Sequence, residues 1–247
     1  DIRDPAESYS AGQFRQDALR EIEAVYEAGR IPLLAGGTFL YFRALEYGWA
    51  DLPEADVKIR SEIDDEGESK GWSVMHAELA IVDPAAADRI HPNDAQRIQR
   101  ALEVFRITGE PLSNWQQWSK HSCPFVVTKM AIQPQSRENL SERISARFDR
   151  MIEQGFLDEV ERLFTRGDLT DKLPSIRAVG YRQLWRHLAG DYDLQTAKER
   201  AVIATRQLAK RQMTWLRSEP DLAWIQGHSH AERWHSMREV LKQLQVA

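Results

Sequence analysis

The chain has 247 residues, 42% hydrophobic and 29% charged, enough to bury the core of one large domain or of a core domain that carries an insertion. No apolar run approaches the roughly 18 residues that cross a bilayer and no charged-then-apolar leader opens the chain, so no membrane partner and a soluble, cytoplasmic protein are expected. The formal net charge of −5 argues, taken alone, against a nucleic-acid partner, and the single cysteine, Cys123, excludes an internal disulfide or a Cys-cluster zinc site.

Asp1-Ile-Arg-Asp-Pro5 reads as the end of a strand and a turn, so the natural start of the protein is expected upstream. Ser10 with Gln13 forms a capping box, and Phe14, Ala18, Ile22, Val25 and Tyr26 recur at helical spacing up to Gly29. Ile31 to Ala35 reads as a buried strand, Gly36-Gly37 as a tight turn, and Thr38 opens a helix through Leu40, Tyr41, Ala44 and Leu45. This order suits a parallel sheet with helices on its faces, whose ligands sit beyond the carboxyl ends of the strands. Thr38 then either points its hydroxyl into that crevice or simply caps the helix.

From Asp51 to about His121 there is no convincing β run, but Val57 to Lys70, Val74 to Val82, Pro84 to Arg89 and Asp94 to Ile107 are amphipathic. We read residues 51–122 as an all-helical insertion between two parts of a core domain, 1–50 and 123–247. Phe125 to Ile132, ended by Pro134, is the next strand, and Ser136 caps a helix carrying Arg137, Arg143 and Arg147. Further helices are expected over Phe156 to Phe164, from Pro174 through Tyr181 to Leu188, and from a cap at Asp193 to about Arg217. Trp224-Ile225 closes the series as an edge strand, with a terminal helix behind it.

Four clusters could carry chemistry. Arg143 and Arg147, at i and i+4, share a helix face and with Arg137 could clamp a diphosphate through their planar forks, or could pair with Glu138, Glu142 and Asp149. Gly180 costs about 1 kcal/mol against Ala in a helix, which suggests close approach by something. Arg177, Tyr181 and Arg182 flank it with phosphate donors and a ring, though a helix start with solvated arginines fits too. Behind a cap at Asn93 or Asp94, Gln96, Arg97, Gln99 and Arg100 are read as exposed and Ile98, Ala101, Leu102 and Phe105 as buried. Such a face could read looped-out bases or be merely solvated; His91 is read as structural, beside the cap. Arg200, Arg206, Lys210, Arg211 and Arg217 form a stripe without an acid, to which Trp215 adds an aromatic face.

In chain order, the segments Asp4-Pro5 with Tyr9-Ser-Ala-Gly12, Gly36-Gly37-Thr38 with Leu40-Tyr41, Arg89-Ile-His-Pro-Asn-Asp94 with Gln96-Arg97 and Arg100-Ala-Leu-Glu-Val104, Leu173-Pro-Ser-Ile-Arg177 with Val179-Gly-Tyr-Arg182, and Thr205-Arg-Gln-Leu-Ala-Lys-Arg-Gln212 with Trp215-Leu-Arg217 resemble the bacterial tRNA dimethylallyltransferases (tRNA isopentenyltransferases). The resemblance implies a P-loop kinase-like α/β core, parallel sheet flanked by helices, with the helical insertion. It also implies transfer of a dimethylallyl group from dimethylallyl diphosphate to the exocyclic amine of the adenosine 3′ of the anticodon. Thr38 would orient that amine, and Arg147 and Arg177 would face the diphosphate. The anticodon stem-loop would be gripped by Thr38, Arg60, Gln96, Arg97, Ile98, Gln99, Arg100, Arg177, Ala178, Val179, Gly180, Tyr181, Arg182, Arg206, Gln207, Lys210, Arg211 and Gln212. Mg²⁺ is the implied cofactor, with no ligand assigned in this chain, and a monomer is expected.

The chain departs from the family in containing no Gly-Lys pair, so the phosphate loop and the general-base aspartate are expected before Asp1. The chain alone would then be inactive. Alternatives are a non-catalytic RNA-binding fragment, an isopentenyltransferase acting on free adenine nucleotide, or a small-molecule kinase with a structural insertion.

Overall fold

The structure is a computed structural model and describes residues 2–50, 52–118, 122–227 and 229–243. It is rich in helix and divides into two compact units, Ser10–Phe125 and a second made of Asp1–Tyr9 with Val126–Ala247.

The first unit opens with α1 (Ala11–Glu27), whose start is fixed by the expected box. Ser10 Oγ accepts from Gln13 N at 3.1 Å and Gln13 Oε1 accepts from Ser10 N at 2.9 Å. It packs on α2 (Phe39–Tyr47) through Ala18, Ile22 and Leu45, with Leu34, Cys123 and Phe125 against them. Phe14 stacks on Tyr41 with ring centroids 4.6 Å apart.

The expected strand at Ile31 to Ala35 is not formed among the described residues. The run still alternates, Pro32 and Leu34 half-buried and Ile31 and Leu33 exposed by 71% and 76%. A strand is completed by backbone pairing with another segment, and no described segment pairs with this one. Gly36 and Gly37 also lack the positive φ that a glycine turn would use.

Helices α3 (Val57–Lys70), α4 (Trp72–Val82), α5 (Pro84–Arg89), α6 (Ala95–Thr108) and α7 (Leu112–Trp118) enclose Ile63, Met75, Leu79, Ile98 and Val104, each 0% exposed. Burying each such side chain stabilises by roughly 1.5–3 kcal/mol. Caps set the helix starts: Asp56 accepts from Lys58 N and Ile59 N, and Asp94 from Arg97 N. Buried Asp83 accepts from Ala86 N at 3.0 Å and from Ser113 N at 2.9 Å, so one carboxylate satisfies the starts of α5 and α7. His91 is structural, its Nδ1 accepting from Asn93 N at 3.1 Å.

In the second unit β1 (Lys129–Ile132) and β2 (Leu222–Ile225) pair in parallel, Lys129 opposite Leu222 and Ile132 opposite Ile225. The expected strand began at Phe125, but pairing starts only at Lys129. The partner sets this limit: Asp221, next before Leu222, has φ 55° and turns the backbone out of the ladder.

Around the pair lie α8 (Arg137–Glu153), α9 (Phe156–Phe164), α10 (Tyr181–Leu188), α11 (Leu194–Ser218) and α12 (His230–Gln243). Phe148, Phe156, Val160, Ile176, Leu184, Ala197 and Ala201 form the core between α8, α9, α10 and α11. Ser136 and Asp193 cap α8 and α11 as expected, accepting from Asn139 N and Thr196 N. The helix expected to open at Pro174 starts instead at Tyr181, after a series of turns. Gly180 at φ 99° cannot continue a right-handed helix, and its N–H donates to Gln183 Oε1 at 2.8 Å.

Candidate nucleic-acid interface

Thr38 stands exposed at the N-terminus of α2, and its side chain makes no capping bond. The cap is made by its backbone carbonyl, which accepts from Tyr41 N at 3.0 Å and Phe42 N at 3.4 Å. Thr38 is thus the N-cap residue of α2 through its backbone, and its hydroxyl takes no part in the cap.

On α8, Arg143 and Arg147 are exposed. Among the described residues neither pairs with a carboxylate; Asp149, one of the expected partners, goes instead to Lys198 Nζ of α11 at 2.7 Å. Arg206 of α11 donates from Nη2 to Ser145 Oγ of α8 at 3.2 Å, which ties one end of the basic stripe to the arginine helix. The stripe does not act as a single surface. Arg200 lies over the Tyr192 ring at 4.4 Å, whereas Gln207, Lys210, Arg211, Thr214 and Trp215 line a groove of about 320 Å³. Lys210 and Arg211 are exposed and have no carboxylate partner among the described residues; Gln212 is half-buried. With no acid in the sequence between Arg200 and Arg217 and no described carboxylate paired to Lys210 or Arg211, these charges remain available to an anion.

The turn before α10 holds Arg177 and Ala178 exposed, Val179 half-buried and Gly180 buried. The close approach that Gly180 permits is by the protein's own rings. A Cβ there would lie 3.0 Å from Phe156 Cε1 and 3.6 Å from Phe148 Cε2. This seats the turn against α8 one residue beyond Arg147. Tyr181 is the wall of that core, edge-on to Phe156 at 5.0 Å, and its hydroxyl donates to Glu159. Burial and the Glu159 carboxylate push the phenol up to about 12. The expected stacking ring is thus engaged in packing, while Arg182 beside it is exposed. Ser175 Oγ donates to Pro5 O at 2.6 Å and Arg166 bridges Asp4 and Asp168, so the Asp-Pro segment is strapped to this turn.

On α6 the expected Gln/Arg face is partly taken up. Ile98 is 0% exposed and belongs to the helical core, which removes its side chain from the interface. Gln99 Nε2 donates to Asp64 Oδ1 at 2.6 Å, and Arg97 Nε lies 3.3 Å from Asp94. Arg60 of α3 and Arg100 of α6 both grip Glu103, a residue the sequence showed only as part of the Arg-Ala-Leu-Glu match. Burial pushes the Glu103 carboxyl up, but the hydrogen bonds from Arg60, Arg100 and Asp56 N outweigh it and hold the group below the usual carboxylate range. Gln96 and Arg97 remain exposed. One hint was available in sequence, the i, i+3 spacing of Arg100 and Glu103; Arg60 lies 43 residues away.

Among the described residues no three His, Cys, Asp or Glu side chains gather to hold a metal ion, and no helix is long and apolar enough to cross a membrane.

Exposed guanidinium and ammonium groups interleaved with amides on a helix-rich α/β fold are the chemistry that phosphate recognition uses. Residues 1–219 match the family described as IPP transferase, and the chain belongs to that family. It is 54% identical over 226 residues, 91% of this chain and 71% of the relative, to a protein of Alkalilimnicola ehrlichii named tRNA dimethylallyltransferase. A tRNA dimethylallyltransferase 2 of Hahella chejuensis is 50% identical, over 99% of this chain and 78% of that protein. Among solved structures, the full-length tRNA isopentenylpyrophosphate transferase of Bacillus halodurans superposes with a TM-score of 0.66 at 31% identity, covering 99% of this chain and 77% of that one. A eukaryotic dimethylallyltransferase described as acting on tRNA gives 0.70 at 28% identity, over 87% and 55%.

Proposed function

We propose that this chain carries out prenyl transfer to tRNA, moving a dimethylallyl group from dimethylallyl diphosphate to the exocyclic amine of the adenosine 3′ of the anticodon and releasing diphosphate. The observation that carries the reading is 54% identity across 91% of the chain to a protein named for that activity. In this reading the fold is a P-loop kinase-like core with residues 51–122 as a helical insertion, and the protein works as a cytoplasmic monomer.

The allylic C–O bond breaks with its electron pair leaving on the diphosphate, the C–N bond forms, and the amine's proton passes to the general-base aspartate that the resemblance implies. The leaving diphosphate gathers negative charge as the bond breaks, so guanidinium groups aimed at it stabilise the transition state more than the ground state. Arg147 and Arg177 take that part. An aromatic amine is a weak nucleophile, and Thr38 holds it in line through its free hydroxyl. Exposed Gln96, Arg97, Lys210 and Arg211 grip the stem-loop, whose target base leaves its stack at a cost of a few kcal/mol. Mg²⁺ would neutralise diphosphate charge; the described residues gather no group of three His, Cys, Asp or Glu to hold it.

The test is transfer from labelled dimethylallyl diphosphate by the full-length protein to an anticodon stem-loop bearing that adenosine, with free adenosine monophosphate as competitor. Label on the stem-loop alone is the expected result. Label on the free nucleotide alone would return Gln96 and Arg97 to being a solvated surface, and no label on either would remove the prenyl-transfer reading.

A further inference from the structure

Glu103 is 0% exposed, and a buried carboxylate costs several kcal/mol unless it is fully paired. Its pairing is unusually complete. Oε1 accepts from Arg60 Nε and from Asp56 N, each at 2.9 Å, and Oε2 from Arg60 Nη2 at 3.1 Å and Arg100 Nη1 at 2.6 Å. Arg100 Nη2 is held a second time, by Pro53 O at 2.8 Å. Yet α3 and α6 already meet through fully buried Ile63, Ile98 and Val104, so apolar packing alone would join these helices.

The two arginines face the other way as well. Their side chains are 39% and 27% exposed, and the trio carries one net positive charge. Arg60 spends Nε and Nη2 on Glu103, leaving Nη1 and its hydrogens free, and Arg100 keeps its Nε–H. Asp64, one turn along α3 from Arg60, is taken by Gln99. Exposed Arg97 and Gln96 continue the surface along α6.

We propose that Glu103 is a positioning residue, a buried carboxylate that holds Arg60 and Arg100 side by side as one preformed site for a backbone phosphate of the bound RNA. The ligand class rests on the proposed function; the device itself rests on the clasp. Guanidinium groups fixed before binding lose less side-chain freedom when the phosphate arrives.

Charge counting and positioning predict opposite signs for Glu103→Gln, which makes the test sharp. Removing an anion from a cationic face should tighten RNA binding and steepen its salt dependence if charge alone matters. A positioning role gives the reverse: stem-loop affinity about tenfold weaker, with a salt slope shallower by about 1 and an unchanged kcat at saturating stem-loop. Tighter binding, or an affinity unchanged while only the melting temperature falls, overturns the proposal.

Should Glu103→Gln fail to fold, Arg60→Gln, Arg100→Gln and their double variant give the same answer. Arginines held as one unit lose affinity non-additively, the double variant binding little worse than the weaker single. Losses that multiply mean independent phosphate binding by each arginine and overturn it. If the unaltered protein shows no salt-dependent binding of the stem-loop, the tRNA reading falls, and the positioning role falls with it.

Discussion

At the scale of single residues, the site depends on positions where the backbone leaves no alternative. Gly180 combines φ 99° with rings 3.0 to 3.6 Å from where a Cβ would be. The first demands a conformation that L side chains rarely adopt, and the second fills the space such a side chain would need. Gly180→Ala should therefore lower the unfolding free energy by about 1–3 kcal/mol, read from urea denaturation. A loss below a few tenths would show that Phe156 yields freely. Thr38 presents the contrary case, because its hydroxyl supports nothing in the fold. Thr38→Ala should leave the melting temperature alone and lower turnover far more than stem-loop affinity. Equal losses in both would count against a part in the chemical step.

At the scale of elements, α3 and α6 are joined by an apolar seam flanked by ion pairs, and this has a pH signature. Hydrogen bonds from Arg106 and Lys70 pull the Glu66 carboxyl down to about 2. A carboxylate lowered in the folded state stabilises it above the unfolded value near 4.5, and that contribution disappears as pH falls toward 2. Glu103 is lowered too and acts in the same direction. The melting temperature should fall between pH 4.5 and 2, and Glu66→Gln should flatten part of that fall; an identical pH profile for the variant would refute the assignment.

The helices themselves were legible in the sequence because amphipathic spacing and caps are local: α3, α5 and α9 begin and end where periodicity placed them. The strands were legible only in part. Ile31 to Ala35 is a continuous apolar run, and Phe125 to Thr128 has the right composition, yet pairing depends on a second segment that composition does not reveal. The site divides in the same way. Arg147, Lys210 and Arg211 could be read as exposed from helical phase, whereas the Glu103 clasp joins side chains 43 residues apart and is a product of packing. Ile98 was legible as buried from helical phase and is 0% exposed, although the resemblance includes it in a continuous marked stretch.

For the molecule as a whole, the question is how a chain of net charge −5 engages a polyanion. Total charge governs long-range steering, but within a Debye length of about 8 Å at physiological salt the local arrangement prevails. Many described cations are paired: Arg20 with Asp17, Arg106 with Glu66, Arg186 with Asp191, Lys242 with Glu239. Such pairs present little net charge to a phosphate. Lys210 and Arg211 differ, since the helix around them supplies no acid between Arg200 and Arg217. Replacing both with Gln should weaken stem-loop binding at every sequence tested and reduce the salt slope by roughly 0.7–0.9 for each phosphate that is no longer neutralised. Lys242→Gln is the matched control, an exposed lysine of equal charge whose partner is already within 2.8 Å. If binding followed net charge alone, the control would weaken binding as much per charge as the α11 variant, and the local reading would fail. If the slope changes for the α11 pair only, the cations on that helix form a site, and the acidic remainder of the chain serves to keep RNA from settling elsewhere on its surface.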